Sequence, residues 1–304
     1  MAHMGTRLRG SAAVLALIVI TPALAAAQTT PDTNTVQQPD SSTPAPAAQT
    51  SGKPSLEREF FKNLLHDQRA IWTSPLHLHG AGARWAAVFG VSTAALIATD
   101  EHTAARLGNN PSRLSLSKNI SKMGIGYVGG GIAGGFYLVG RAAGDDRARE
   151  TGILAGEALV DGIIVYESLK GITQRKRPIN QPGEAKFFNG GNAFPSGHSV
   201  TAWSVATVVA HEYDNLPVQI ASYTLAGLVS VSRFTGRNHF LSDVLVGSAI
   251  GYGIGRYVYH AHHDPALDVN VRQAGHSRSR LLPAISPLYS RANHEYGLSM
   301  AWGL

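Results

Sequence analysis

"NAFPSGHSV", residues 192–200, interrupts an apolar chain and opens a helical pattern that runs over 198–213. A proline and a glycine bracket Ser196, and His198 follows at once. Proline and glycine punctuate local structure, so the stretch reads as the entry to a helix. Outward from it, helical patterns recur over roughly 84–99, 118–141, 148–173, 217–232 and 240–262. Nearer the start, "LEREFFKNLLHDQRAIW" sets Phe60, Leu64 and Leu65 at helical spacing. Few runs alternate with period two, so the body is expected to be all-α, a helical bundle. The tail differs: "RLLPAISPLYS" and "YGLSMAWGL" (within 276–304) suit a small β-hairpin, its prolines confining the first piece to an edge.

Glycine is unusually placed. "MGIGYVGGGIAGGFYLVG" (123–140) contains eight, and Gly247, Gly251 and Gly255 repeat every four residues. Glycine lowers helix propensity, so its use inside helices implies backbones in close approach. The same spacing also suits helices packed in a membrane.

The chain is 304 residues long, 44% hydrophobic, 15% charged and free of cysteine. Disulfides and thiolate metal sites are thereby excluded. "MAHM" has the look of a vector remnant, so residues 1–3 are read as foreign. Arg7 and Arg9 then precede "AAVLALIVITPALA" and "AAAQ", the pattern of a secretory signal with cleavage after Ala27. Residues 28–55, rich in Pro, Ser, Thr and Gln, have almost nothing to bury and are expected to form a disordered linker. A helical domain over 56–265 and a tail over 266–304 complete the expected organisation. Losing the two signal arginines lowers the formal charge from +6 to +4. That mild excess suits an anionic ligand and is too weak to imply nucleic acid.

Three polar patches punctuate the helices. In "LKGITQRKRP", Lys170 and Arg177 stand near a helix end that Pro178 is expected to stop. Cations there complement the helix dipole, but Arg175 and Lys176 crowd the same turn, and such a cluster also suits a bound anion. Ser196 is either a plain N-cap or, with Gly197 and the free amides of a helix start, part of a phosphate seat. His198 at that start is placed to give a proton to a leaving group. Asp243 follows His239 by four residues, either as a surface pair or as the carboxylate that fixes the imidazole's tautomer for attack. Arg233 adds a planar fork suited to phosphate oxygens.

Together the patches read Lys-x6-Arg-Pro, Pro-Ser-Gly-His and Ser-Arg-x5-His-x3-Asp, with Ser232 opening the third. This resembles the three-part signature of the type 2 phosphatidic acid phosphatase and vanadium haloperoxidase superfamily, at all eleven specified residues. The resemblance covers roughly 84–262. It implies a helical bundle with a phosphotransfer site that uses neither metal nor cofactor. By the same resemblance, His239 would be the nucleophile that forms a phosphohistidine, Asp243 its orienting acid, and His198 the acid for the departing alkoxide. Lys170, Arg177, Ser196, Gly197 and Arg233 would form the phosphate cradle.

Soluble and membrane-embedded members both belong to that superfamily. Only 15 residues separate Arg84 from Asp100, and 18 separate Lys122 from Arg141 and Asp214 from Arg233. A span needs about 20 apolar residues, so the expectation is an exported, periplasmic phosphatase acting on phosphate monoesters. The alternative is a lipid phosphate or undecaprenyl diphosphate phosphatase in the inner membrane, its site facing the periplasm, with Arg175, Lys176 and Arg237 serving a second phosphate. A vanadate-dependent haloperoxidase and an inactive binding protein rank below these. The expected partner is a phosphorylated small molecule or lipid at or near a membrane surface; nothing in the sequence specifies an oligomeric state. "HAHHD" (260–264) resembles a metal tract, but histidines after a helix end also cap carbonyls.

Overall fold

The computed structural model describes residues 56–179 and 185–268, with the backbone of 284–290 and 295–301. The expected signal and linker lie outside the described residues. Eight α-helices follow in order: α1 (Leu56–Thr73), α2 (Gly80–Arg106), α3 (Pro111–Ser121), α4 (Gly126–Ala143), α5 (Asp146–Thr173), α6 (Gly197–Glu212), α7 (Leu216–Thr235) and α8 (Leu241–His262). The tail pieces pair as antiparallel strands β1 (Ala284–Ser290) and β2 (Glu295–Ala301), with Ala284 opposite Ala301. The all-α body and the hairpin are both as expected.

The core lies where α5, α6 and α8 meet, around Leu154, Ala158, Val205, Val208, Ile254 and Val258. The glycines of α8 set how closely two of these helices approach. A Cβ on Gly247, Gly251 or Gly255 would come within 2.6 Å of the carbonyl oxygen of Ser196, Val200 or Ser204. Each four-residue step on α8 thus meets a four-residue step on α6, and the two backbones touch without side chains between them. This pairing carries the start of α6 down onto the start of α8. There the Ser196 N–H donates to the Asp243 carbonyl over 3.0 Å.

Two sequence expectations need correction. The helix expected over 118–141 is broken: α3 ends at Ser121, a 3-10 turn covers Lys122–Gly124, and α4 starts at Gly126. The break lets bare backbone dock, since a Cβ on Gly124 would strike Val229 and the main chain of His198. Thr201 Oγ1 seals the contact by donating to the Gly124 carbonyl over 2.6 Å. Second, Pro178 does not stop α5. The helix ends at Thr173, and Gln174 leaves it in the left-handed conformation, its N–H bonded to the Lys170 carbonyl.

Helix α2 is longer than its 15-residue uncharged run suggested. At 27 residues it spans about 40 Å, and it is long and apolar enough to cross a membrane, with none of its most apolar window buried. Trp85, Val88, Phe89 and Val91 lie bare along it. The bent pair Pro111–Gly124 and Gly126–Ala143, at 45° to each other, passes the same test only when taken together. Helix α2 is held to the bundle at its far end, where buried Asp100 accepts from Arg175 Nη2 at 2.8 Å and from the Ser242 N–H at 3.3 Å.

Candidate active site

Five chain segments converge on a cavity of about 150 Å³. Lys170 comes from the last turn of α5, Arg177 from the loop beyond it, Gly197 and His198 from the first turn of α6, and His239 from the loop before α8. Gly124, Ile125 and Gly126, at the break before α4, form one wall, with Tyr166 and Thr201 also facing in. Arg233, near the end of α7, is outside the lining and donates from Nη1 to Ser121 Oγ at 2.9 Å, and its charge acts on both histidines. Patches far apart in sequence therefore meet at one place.

Several groups here are prepared for a ligand rather than for each other. Ser196 is the N-cap of α6 but makes no side-chain cap bond, so the first amides of the helix keep their capacity to bind an anion. The Nε atoms of Arg177 and Arg233 are buried and have no hydrogen-bond partner. Gly197 is required by packing: a Cβ there would meet the Tyr166 ring at 2.9 Å. Lys170 Nζ sits 4.2 Å from the centroid of that same ring and 3.0 Å from Glu167 Oε1.

The histidines are electrically distinct from free imidazoles. Burial first, and then the charges of Arg233 and Arg177, hold His239 well below its ordinary pKa. His198 is lowered to about 3 by burial, Arg233, His239, Lys170 and Arg177. Both rings are therefore neutral at physiological pH. Arg233 is itself lowered to about 10, by burial and by Arg177, and stays charged.

Three expected roles look different in the structure. His239 Nδ1 donates to the Ala193 carbonyl over 2.7 Å, whereas Asp243 Oδ2 stands 3.6 Å away, beyond hydrogen-bond reach. A carbonyl can only accept, so this bond puts the proton on Nδ1 and leaves Nε2 its lone pair. Asp243 instead caps its own helix, accepting from the Phe240 N–H at 2.9 Å, and binds Arg175 Nη1 at 2.6 Å. Ser196 does not line the cavity; it is fully buried and its hydroxyl accepts from Ser199 Oγ at 3.0 Å. Nor are Arg175 and Arg237 available to a second phosphate. Arg175 is wholly buried between the rings of Phe187 and Phe240 and bonded to Asp100, Ser242 and Asp243. Arg237 binds the Asn109 side chain.

The Ala193 carbonyl and Arg175 are the residues that motif reasoning passed over. A carbonyl has no sequence signal, but an arginine two residues before Arg177 does. Its charge cluster was visible; that it faces two buried aspartates was not.

The family model described as PAP2 superfamily matches residues 151–266. These residues belong to the PAP2 superfamily. The matched segment runs from α5 through α8 and holds every site residue named above except the wall at 124–126. Of curated proteins, the PAP2 lipid A 1-phosphatase of Porphyromonas gingivalis is 31% identical over 156 residues, which cover 51% of this chain and 30% of that protein. The chain thus spans about a third of that relative's length. Among solved structures, a transmembrane PAP2-type phosphatidylglycerolphosphate phosphatase from Bacillus subtilis is 22% identical, with a TM-score of 0.43 over 67% of this chain and 94% of that one. Aquifex aeolicus LpxE is also 22% identical, with a TM-score of 0.40 over 50% and 88%.

Proposed function

We propose that this chain is a phosphatase that removes phosphate from a lipid-borne monoester at a membrane, through a phosphohistidine on His239. The observation that carries the chemistry is the neutral His239 ring, held by Ala193 with Nε2 free, in a cavity lined by Lys170, Arg177 and the start of α6. Nε2 attacks phosphorus, the P–O bond to the leaving alkoxide breaks, and His198 supplies the proton which that oxygen takes up. Water deprotonated by His198 then cleaves the N–P bond, releasing inorganic phosphate and restoring His239. Phosphoryl transfer depends mainly on positioning and dispersed positive charge. Lys170, Arg177 and Arg233 provide the charge, and the amides of α6 provide directed donors.

His198 must be protonated to act as the acid, yet it is neutral without ligand. The same charges resolve this. A phosphate dianion among Lys170, Arg177 and Arg233 offsets the cations that lower the His198 pKa, so substrate arms its own acid. Asp243 supports His239 at one remove, by fixing the turn from which the ring projects.

The lipid substrate rests on α2. Its bare apolar length approaches the ~30 Å of a hydrocarbon core, and its attached end, at Asp100, bonds Ser242 and, through Arg175, Asp243 beside the site. A bilayer around α2 would bring the cavity to the depth of lipid headgroups. The likeness to a lipid A 1-phosphatase favours the same class. This replaces the expectation of a soluble monoester phosphatase. Phosphate release from phosphatidate, lipid A and undecaprenyl diphosphate in detergent, set beside a water-soluble monoester, tests it. Faster release from the lipids is expected; release from the soluble ester alone overturns it.

A further inference from the structure

The histidines of "HAHHD" lie at the other end of the bundle. Lys170 and Glu157 are thirteen residues apart on α5, about 20 Å along the helix. Here α1, α5 and α8 bring together Asp67, Glu157 and His262, each offering one ligand atom, all within 4.8 Å of one another. Asp67 and Glu157 are fully buried, and His262 Nε2 lies 3.0 and 2.9 Å from the two Asp67 oxygens. One helical turn beyond Glu157 stands Asp161, also fully buried, whose Oδ1 accepts from Gln68 Nε2 and whose Oδ2 has no partner.

Of these three ligands, Glu157 is the unsatisfied one. Both its carboxylate oxygens are buried without a hydrogen-bond partner, and the Asn63 amide stands near without reaching bonding geometry. A buried carboxylate without a partner is strongly disfavoured. A proton shared with a neighbouring carboxylate would satisfy one Glu157 oxygen and leave the other bare. A metal ion spans more. Ligands ~2.1 Å from a tetrahedral ion stand about 3.4 Å apart, so Asp67 and His262, 2.9–3.0 Å apart, would open slightly while Glu157 closes on them from within 4.8 Å. We infer that Asp67, Glu157 and His262 bind a divalent transition-metal ion of the Zn²⁺ or Mn²⁺ class, which clips α1 to α5 and α8. One imidazole nitrogen with carboxylate oxygens suits such ions better than Ca²⁺ or Mg²⁺, which favour all-oxygen sets. Binding displaces the proton from His262 Nε2. The site is structural and independent of the phosphotransfer reading, since it shares no residue with the cavity.

A neighbouring group, Glu150, Glu212 and His263, provides an internal control. There Glu212 also has both oxygens buried without a hydrogen-bond partner, but both His263 ring nitrogens are engaged, Nδ1 with Glu150 at 2.7 Å and Nε2 with Asp268 at 3.2 Å, which leaves no imidazole nitrogen for a metal. The test uses the full chain in detergent, stripped with a chelator and titrated with Zn²⁺, Mn²⁺ or Mg²⁺, reading bound metal per chain and Tm. One Zn²⁺ or Mn²⁺ per chain is expected, with a Tm rise of about 5 °C or more at saturation; Mg²⁺ should do neither. Glu157→Gln should keep or raise the metal-free Tm, since it removes a buried unpaired charge, and lose at least tenfold in metal affinity. His262→Ala should lose it too, while Glu212→Gln should bind as the wild type does. Absence of stoichiometric Zn²⁺ or Mn²⁺ overturns the inference. So does wild-type affinity in Glu157→Gln, or loss confined to Glu212→Gln. Phosphatase activity at 25 °C serves as the folding control and is expected to persist without metal.

Discussion

Replacing Arg175 by methionine separates the structural role seen here from the phosphate-binding role that its sequence position suggested. The guanidinium is 0% exposed and bonds Asp100 at 2.8 Å, Asp243 at 2.6 Å and Ser242 at 2.7 Å. Phe187 and Phe240 cover its faces, with centroids 4.6 and 4.4 Å from Cζ. The gross attraction of each close ion pair is several kcal/mol, most of it offset by desolvation. Removing the cation alone leaves two buried carboxylates facing each other. Breaking a buried pair this way costs about 3–5 kcal/mol, or roughly 6–20 °C in Tm for a domain of this size. Asp243 also fixes the turn carrying His239, so kcat should fall while KM changes little.

Thermal unfolding in detergent, followed by circular dichroism, reads the stability; steady-state phosphate release reads the rest. Adding Asp100→Asn and Asp243→Asn to Arg175→Met should recover much of the lost stability, because the unpaired charges are then gone. A residue that bound substrate would behave differently. If Arg175→Met raised KM more than tenfold with Tm unchanged, the buried-pillar reading would be refuted.

His239→Ala should lower turnover by at least about 10³-fold, some 4 kcal/mol of barrier, with Tm preserved; measurable phosphohistidine in that variant would exclude His239 as nucleophile. Gly251→Ala should destabilise by about 1–3 kcal/mol, because its Cβ would strike the Val200 carbonyl. Gly253→Ala, which meets nothing, should stabilise by about 0.8–1 kcal/mol, and chemical denaturation of the pair compares them. For His198, whose folded pKa lies below the unfolded value of ~6.5, the unfolded chain binds the extra proton as pH falls. Wild type should therefore lose up to about 1.4 kcal/mol per pH unit relative to His198→Gln from pH 6.5 downward towards 3; parallel stability curves for the two would contradict the depressed pKa.

The helices were legible because their apolar spacing is a local property, and so were the cations and histidines, whose types and intervals announce phosphate chemistry. What remained hidden depends on partners distant in sequence. Arg175 and Arg177 are two residues apart and carry the same charge, yet one is sealed against Asp100 from α2 and the other opens on the cavity. Likewise Asp243, one turn after His239, has the spacing of an orienting acid. The Ala193 carbonyl, 46 residues upstream, is the nearer acceptor. The break at Gly124 escaped notice because it is made by the backbone of another segment rather than by a local helix breaker. Helix α2 outruns its charge-free stretch because Asp100 does not end a helix when it is buried against Arg175.

The displaced roles of Arg175 and Asp243 also explain how a cavity with so many cations holds together. Lys170, Arg177 and Arg233 repel one another and depress both histidines. Among the described residues lining the cavity there is no carboxylate, and only Lys170 is paired, with half-exposed Glu167 outside the lining, so most of this charge remains available to a ligand. A carboxylate hydrogen-bonded to His239 would raise the ring's pKa and favour the protonated form, which cannot attack phosphorus. Placing the acid 3.6 Å away and binding it to Arg175 keeps the imidazole neutral, while the Ala193 carbonyl sets the tautomer without adding a full charge. The buried Arg175–Asp243 pair thus isolates a negative charge that the turn requires from a nucleophile that must not be protonated.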